Sequence, residues 1–208
     1  MLKSLLQRAR EARAAELGDG EGLEEGFTLI ELMVVLLIIA ILLAIAIPTF
    51  LGVTSSAHDR AVQSNLTNAN TEVQAQYQNG QDYTFANSGG GQATLNSSAP
   101  EFTWADAGTA STDQNHMSIG PVDVASAGDA QGVVIASLNK TTGVCWYAMN
   151  LQANPVAGVP PTGVTVTRAG TYYANQKAGA GAPCEADNAY GTAGWKWGTS
   201  YSDSAGNN

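Results

Sequence analysis

Residues 27–51 read FTLIELMVVLLIIAILLAIAIPTFL, and this stretch decides the architecture. Leu32 to Ile47 is an unbroken run of sixteen apolar residues. Only Thr28, Glu31, Pro48 and Thr49 interrupt the wider segment from Phe27 to Leu51. A membrane-crossing helix needs about 17–25 predominantly apolar residues. No amphipathic period divides the run into a wet and a dry face, so its neighbours are lipid or other apolar helices.

On the N-terminal side lie Lys3, Arg8, Arg10 and Arg13. On the other side Arg60 is the only Lys or Arg in residues 52–76. The excess of basic residues before the run places the N-terminus in the cytoplasm and the rest outside, in a single pass. Residues 1–26 start basic and end acidic, with four glycines. They read as a leader rather than a folded unit. Past Pro48 the helix continues with a kink at Pro48 and Gly52, because proline removes one backbone hydrogen bond and crowds the preceding turn. Val62, Leu66, Ala69, Val73 and Tyr77 then recur at helical spacing on one face, with Ser64, Asn65, Asn68, Thr71, Glu72 and Gln76 between them. That stripe needs a folded partner. Asn79-Gly80 is the stop, either residue being able to take the left-handed cap conformation.

From residue 80 on, Gly, Ser, Thr, Asn and Ala dominate and short β-like runs appear. VVIASL and VCWYAM, separated by Asn139–Gly143, read as a hairpin. GVTVTR-AG-TYYANQ (163–176) is a second candidate hairpin, and Met117–Val124 a further strand bent at Gly120-Pro121. Gly89-Gly90-Gly91 reads as a flexible loop. The expected fold is α+β: a long N-terminal helix, half membrane and half amphipathic, packed on a small antiparallel β-sheet. The divisions are 1–26 leader, 27–51 transmembrane helix, 52–79 its amphipathic continuation and 80–208 head. Cys145 and Cys184 are the only cysteines. Two cysteines in an exported domain usually form a disulfide, two separate buried thiols being the alternative.

The chain carries 9 basic and 18 acidic side chains, a net charge of −9. That balance argues against a chain-wide nucleic-acid surface. Lys140, Arg168, Lys177 and Lys196 read more simply as a solvated face than as a DNA patch. Tyr147, Tyr172, Tyr173, Trp195 and Trp197 suit strand packing at least as well as an adhesive surface. His58 and His116 are the only histidines and lie far apart in sequence, which gives little support to a two-histidine metal site or a Ser–His–Asp triad. The pairs Asp106/Asp113 and Glu185/Asp187 lack calcium-loop spacing and read as solvated acids. No metal, no cofactor and no catalytic residue is expected.

Glu31 does not fit a plain membrane anchor. A carboxylate at the bilayer centre costs roughly 2.5–3.5 kcal/mol, less near the interface. Cleavage after Gly26 would create a cation for it, a free amine on Phe27 one helical turn away. Pairing with the amine of an adjacent helix would fix axial register, which apolar stripes alone leave loose.

The segment from Gly26 to Val35, GFTLIELMVV, resembles the cleavage and methylation motif of type IV prepilins. These are the subunits of type IV pili and of related type II secretion and competence pseudopili. In that resemblance Gly26 precedes the scissile bond, Phe27 becomes the N-methylated terminus, Glu31 is the acidic assembly residue and Pro48 the helix proline. The likeness spans about the first quarter of the processed chain; the head is similar only in layout, a helix on strands with a paired-cysteine loop near the C-terminus. The sequence departs in its 26-residue leader and in Glu24-Glu25 directly before Gly26. The resemblance implies a homopolymer of pilin subunits, a prepilin peptidase/methyltransferase, a platform protein and an assembly ATPase. It also implies storage in membrane lipid followed by export as a surface filament serving motility, adhesion, DNA uptake or secretion. Two competing readings are a secreted protein cut at Ala44-Ile45-Ala46 by an ordinary signal peptidase, and a membrane-anchored receptor or enzyme. The first does not suit Glu24, Glu25 and Glu31, and the second does not explain where Glu31 sits.

Overall fold

The protein's computed structural model describes residues 26–87, 91–157, 166–179, 182–189, 196–202 and 206–207. The chain divides into two compact units, Met1–Phe50 and Leu51–Asn208. One helix, α1 (Leu29–Gly80), supplies residues to both.

In the first unit, helix begins at Leu29 and continues past Pro48. Every large apolar side chain from Leu29 to Phe50 is at least 46% exposed. Pro48 has no N–H to offer the preceding turn. The Thr49 hydroxyl donates to the carbonyls of Ile45 and Ala46, both at 2.9 Å, beside that gap.

The second unit is a helix on a sheet. Val62, Leu66, Ala69, Val73 and Tyr77 are all buried, as the spacing predicts. α1 ends at Gly80, but neither Asn79 nor Gly80 takes the left-handed conformation. Gln81 does, at φ 58°. Its N–H reaches the Tyr77 carbonyl at 2.7 Å and its own carbonyl accepts from Gln131 Nε2 at 2.8 Å. A tertiary contact thus holds a residue that local propensity would not choose.

The sheet contains β1 (Thr103–Asp106), β2 (His116–Val122), β3 (Gly132–Asn139), β4 (Val144–Leu151), β5 (Gly170–Lys177) and β6 (Gly206–Asn207), ordered as numbered. The pairings β2–β3, β3–β4 and β4–β5 are antiparallel; the outer pairs β1–β2 and β5–β6 are parallel. The β3–β4 hairpin is present with Asn139 opposite Val144. Asn139 Oδ1 accepts the Thr141 and Thr142 N–H groups, and Gly143 supplies φ +70°. β2 tolerates Pro121 because β1 pairs only as far as Ile119, so that side of β2 needs no donor there.

Two expected features differ. Of 163–176, residues 163–165 lie outside the described set, 166–169 are not strand, and Gly170–Lys177 pairs with β4 instead. Of the triple glycine, residues 89 and 90 lie outside the described set, while Gly91 opens a short helix, α2 (Gly91–Ser98). α2 packs beside β1, placing Leu95 in the core.

Both faces of the sheet are covered. Val133, Ile135, Trp146 and Ala148 share a cluster with the α1 stripe, together with Met117, Ile119 and Tyr83. Their alternate neighbours Val134, Ala136, Tyr147, Met149 and Leu151 cluster with Cys184, Ala186 and Ala189 from the C-terminal region. Burial on two faces is why VVIASL reads as a continuous apolar run rather than an alternating one. Cys145 and Cys184 form a disulfide with Cα atoms 5.3 Å apart, tying this second cover to β4.

Candidate processing and assembly site

Gly26, Phe27 and Thr28 lie outside the helix, and all are exposed, Phe27 by 87%. A Cβ placed on Gly26 would meet nothing within 4 Å. The fold therefore does not require glycine at this position; a demand for it must come from whatever acts on the bond.

Thr28 and Glu31 form a reciprocal cap. Glu31 Oε2 accepts the Thr28 N–H at 2.9 Å and the Thr28 hydroxyl at 2.7 Å, while Thr28 Oγ1 accepts the Glu31 N–H at 3.3 Å. Each side chain satisfies a backbone donor that a helix start leaves orphaned. The acidic group also stands at the positive end of the helix dipole. Sequence reasoning singled out Glu31 but missed Thr28. The signal was present: Thr-x-x-Glu directly before an apolar run is the capping-box pattern.

The other expected positions lie apart from this cap. Gly52 is exposed and, like Gly26, leaves open space around a notional Cβ. The disulfide belongs to the second unit. Lys140, Arg168, Lys177 and Lys196 are all exposed. The acidic residues pair differently from the sequence reading. Asp106 and Asp187 line one cleft of about 700 Å³ with Asp123 and Thr84, whereas Asp113 lines another. The Gln92 amide donates to Asp106, and Asp113 Oδ1 accepts the Asn115 and His116 N–H groups.

Asp129 illustrates how the head uses its carboxylates. Burial pushes its pKa up, but backbone N–H groups of Val124, Gln131, Ser126 and Ala125 outweigh this and hold it below the ordinary aspartate value. Tyr83 is pushed up to about 12, chiefly by burial. Its hydroxyl donates to Asn150 Oδ1 at 2.8 Å and accepts from Gln152 Nε2 at 2.8 Å. These are fold-holding arrangements.

Comparison with known proteins bears on the N-terminal site. Residues 23–47 match the prokaryotic N-terminal methylation motif, the signature of type IV pilins and pseudopilins. We find no match to the chain among curated proteins or among solved structures. The motif marks a family of structural subunits and implies processing by a prepilin peptidase and polymerisation into a filament. It brackets the Gly26–Phe27 bond and the Thr28–Glu31 cap.

Proposed function

We propose, from the premise that this chain carries the type IV pilin and pseudopilin signature, that it is a subunit of a type IV pilus. It is held in the membrane by residues 27–51 in a single pass with its N-terminus cytoplasmic, cut after Gly26, and N-methylated on Phe27. It then polymerises through its apolar helix into a surface filament. One coincidence carries the reading: the methylation motif falls on a helical segment whose large apolar side chains are all at least 46% exposed. Such a surface cannot stay bare in water, at about 0.8 kcal/mol for each methylene group. Lipid covers it before assembly and neighbouring copies afterwards. Lipid tails are as apolar as leucine, so extraction gains little from the apolar effect and needs external work. A platform protein coupled to a cytoplasmic ATPase supplies it.

Hydrolysis of the Gly26–Phe27 bond leaves an amine on Phe27, one turn from Glu31. Pairing of Glu31 with that amine, in its own chain or the next, sets the axial offset between helices. Kinking at Pro48 and Gly52 adapts the helix to its neighbours.

N-terminal mass analysis of sheared, sedimented surface filaments tests the proposal. The expected material begins at a methylated Phe27. A terminus at Met1 or Ile47, or fibres lacking this polypeptide, overturns it. A processed chain that stays with the cell envelope after shearing assigns the pseudopilin role instead.

A further inference from the structure

We infer that Thr28 is a positioning residue for leader removal: as helix cap it stops α1 short of the Gly26–Phe27 bond and presents that bond in non-helical backbone. This inference rests on the cleavage position proposed above.

The bond's surroundings carry it. Among the described residues, the first backbone bond of α1 runs from Leu32 N–H to the Thr28 carbonyl at 3.2 Å, two residues beyond the Gly26 carbonyl. The Glu31 N–H, which a longer helix would direct to the Phe27 carbonyl, is held by Thr28 Oγ1 instead. The Thr28 N–H and hydroxyl are both turned inward to Glu31 Oε2. The methylation-motif match over 23–47 is an independent indication that processing falls here.

Hydrolysis adds water to the Gly26 carbonyl carbon, breaks its bond to the Phe27 nitrogen, and leaves a carboxylate on Gly26 and a protonated amine on Phe27. A peptidase cleft grips extended backbone through its free N–H and C=O groups, as in strand addition. Helix across residues 26–28 would occupy those groups, and cleavage tracks the population in which they are open. Gly26 opposes helix only by its weak propensity. Among the described residues, Thr28 is the stop signal with side-chain hydrogen bonds behind it.

The test is kcat/KM for leader removal from the full-length precursor in detergent by its prepilin peptidase, comparing three changes at one position. Alanine is the best helix former and a poor cap. Serine caps like threonine, and glycine caps almost as well without a side chain. Thr28→Ala is expected to be cleaved about three- to tenfold more slowly, the scale of a lost cap, with Thr28→Ser and Thr28→Gly close to wild type. Wild-type cleavage of Thr28→Ala overturns the inference. So does slow cleavage of Thr28→Gly alongside normal Thr28→Ser, since the peptidase would then be reading the hydroxyl. A wild-type precursor cut elsewhere, or not cut, overturns the proposed cleavage position itself.

Discussion

Asp59 on α1 accepts the indole N–H of Trp146, on β4, at 3.2 Å. The same oxygen accepts Asn139 Nδ2 at 2.6 Å and the Thr142 hydroxyl at 3.4 Å. One helical carboxylate thereby fixes the turn end of the β3–β4 hairpin against α1. Tyr201 adds a second tie from the C-terminal region. Its hydroxyl donates to the Gln63 carbonyl at 3.0 Å, and its ring lies against Trp146 and Tyr173.

Asp59→Ala strands the donors of Trp146 and Asn139, which are only 8% and 2% exposed. The expected loss is about 2–3 kcal/mol, on the scale of hydrogen bonds to a charged group. Asp59→Asn keeps an acceptor and should lose less. Denaturant titration of the detergent-solubilised chain distinguishes them, and equal stability of the alanine variant and wild type would remove the hub.

Gly26→Val should block leader removal while leaving the fold intact, because space around Gly26 is open. Immunoblotting of membranes should show only the heavier precursor with an unchanged melting curve. Normal mobility of the variant would refute the assigned bond.

Glu31→Leu keeps the residue-31 N–H bond to Thr28 Oγ1, so it should insert and lose its leader. It should nonetheless assemble poorly when it is the sole copy, because its helices have lost their axial register. Filament yield from sheared cells measures this. A wild-type yield would eliminate the registry role.

Reduction of the disulfide, or Cys145→Ser, should release the C-terminal cover from the sheet face that buries Tyr147 and Met149. With the cysteines 39 positions apart in sequence, the loop-entropy estimate is about 3–4 kcal/mol. Protease susceptibility around Ala186–Ala189 should rise before that of α1. Unchanged cleavage kinetics would count against the bracing role.

Asp129 predicts an acid effect. Its folded pKa lies below its unfolded value, so its stabilisation is fully present above the ordinary aspartate range and disappears as pH falls through the folded value. Protection of the Val124, Ala125 and Ser126 amides, corrected for intrinsic exchange, should fall in that window. Asp129→Asn should flatten the dependence; an identical profile in that variant would be the contrary result.

The elements legible in the chain were those whose cause is local. The apolar run, the Val62–Tyr77 stripe and the hairpin around Asn139–Gly143 each carry their own period or turn chemistry. The Thr28 cap is equally local: its hydroxyl stands three residues before Glu31, the capping-box spacing. The end of α1 was another matter. Asn79 and Gly80 carry the better local preference, yet Gln81 takes the left-handed turn because Gln131, fifty residues away, bonds its carbonyl.

By itself the order of residues determined the exposed apolar helix, its cap and the methylation motif, because helix period, capping and sequence motifs act within a few neighbouring positions. Only the folded head decided that β1 pairs with β2, and β6 with β5, in parallel, that Asp59 meets Trp146, and that Asp106 shares a cleft with Asp123 and Asp187 rather than with Asp113. Those pairings depend on where the intervening segments travel, and distant groups become neighbours only once both faces of the sheet are buried.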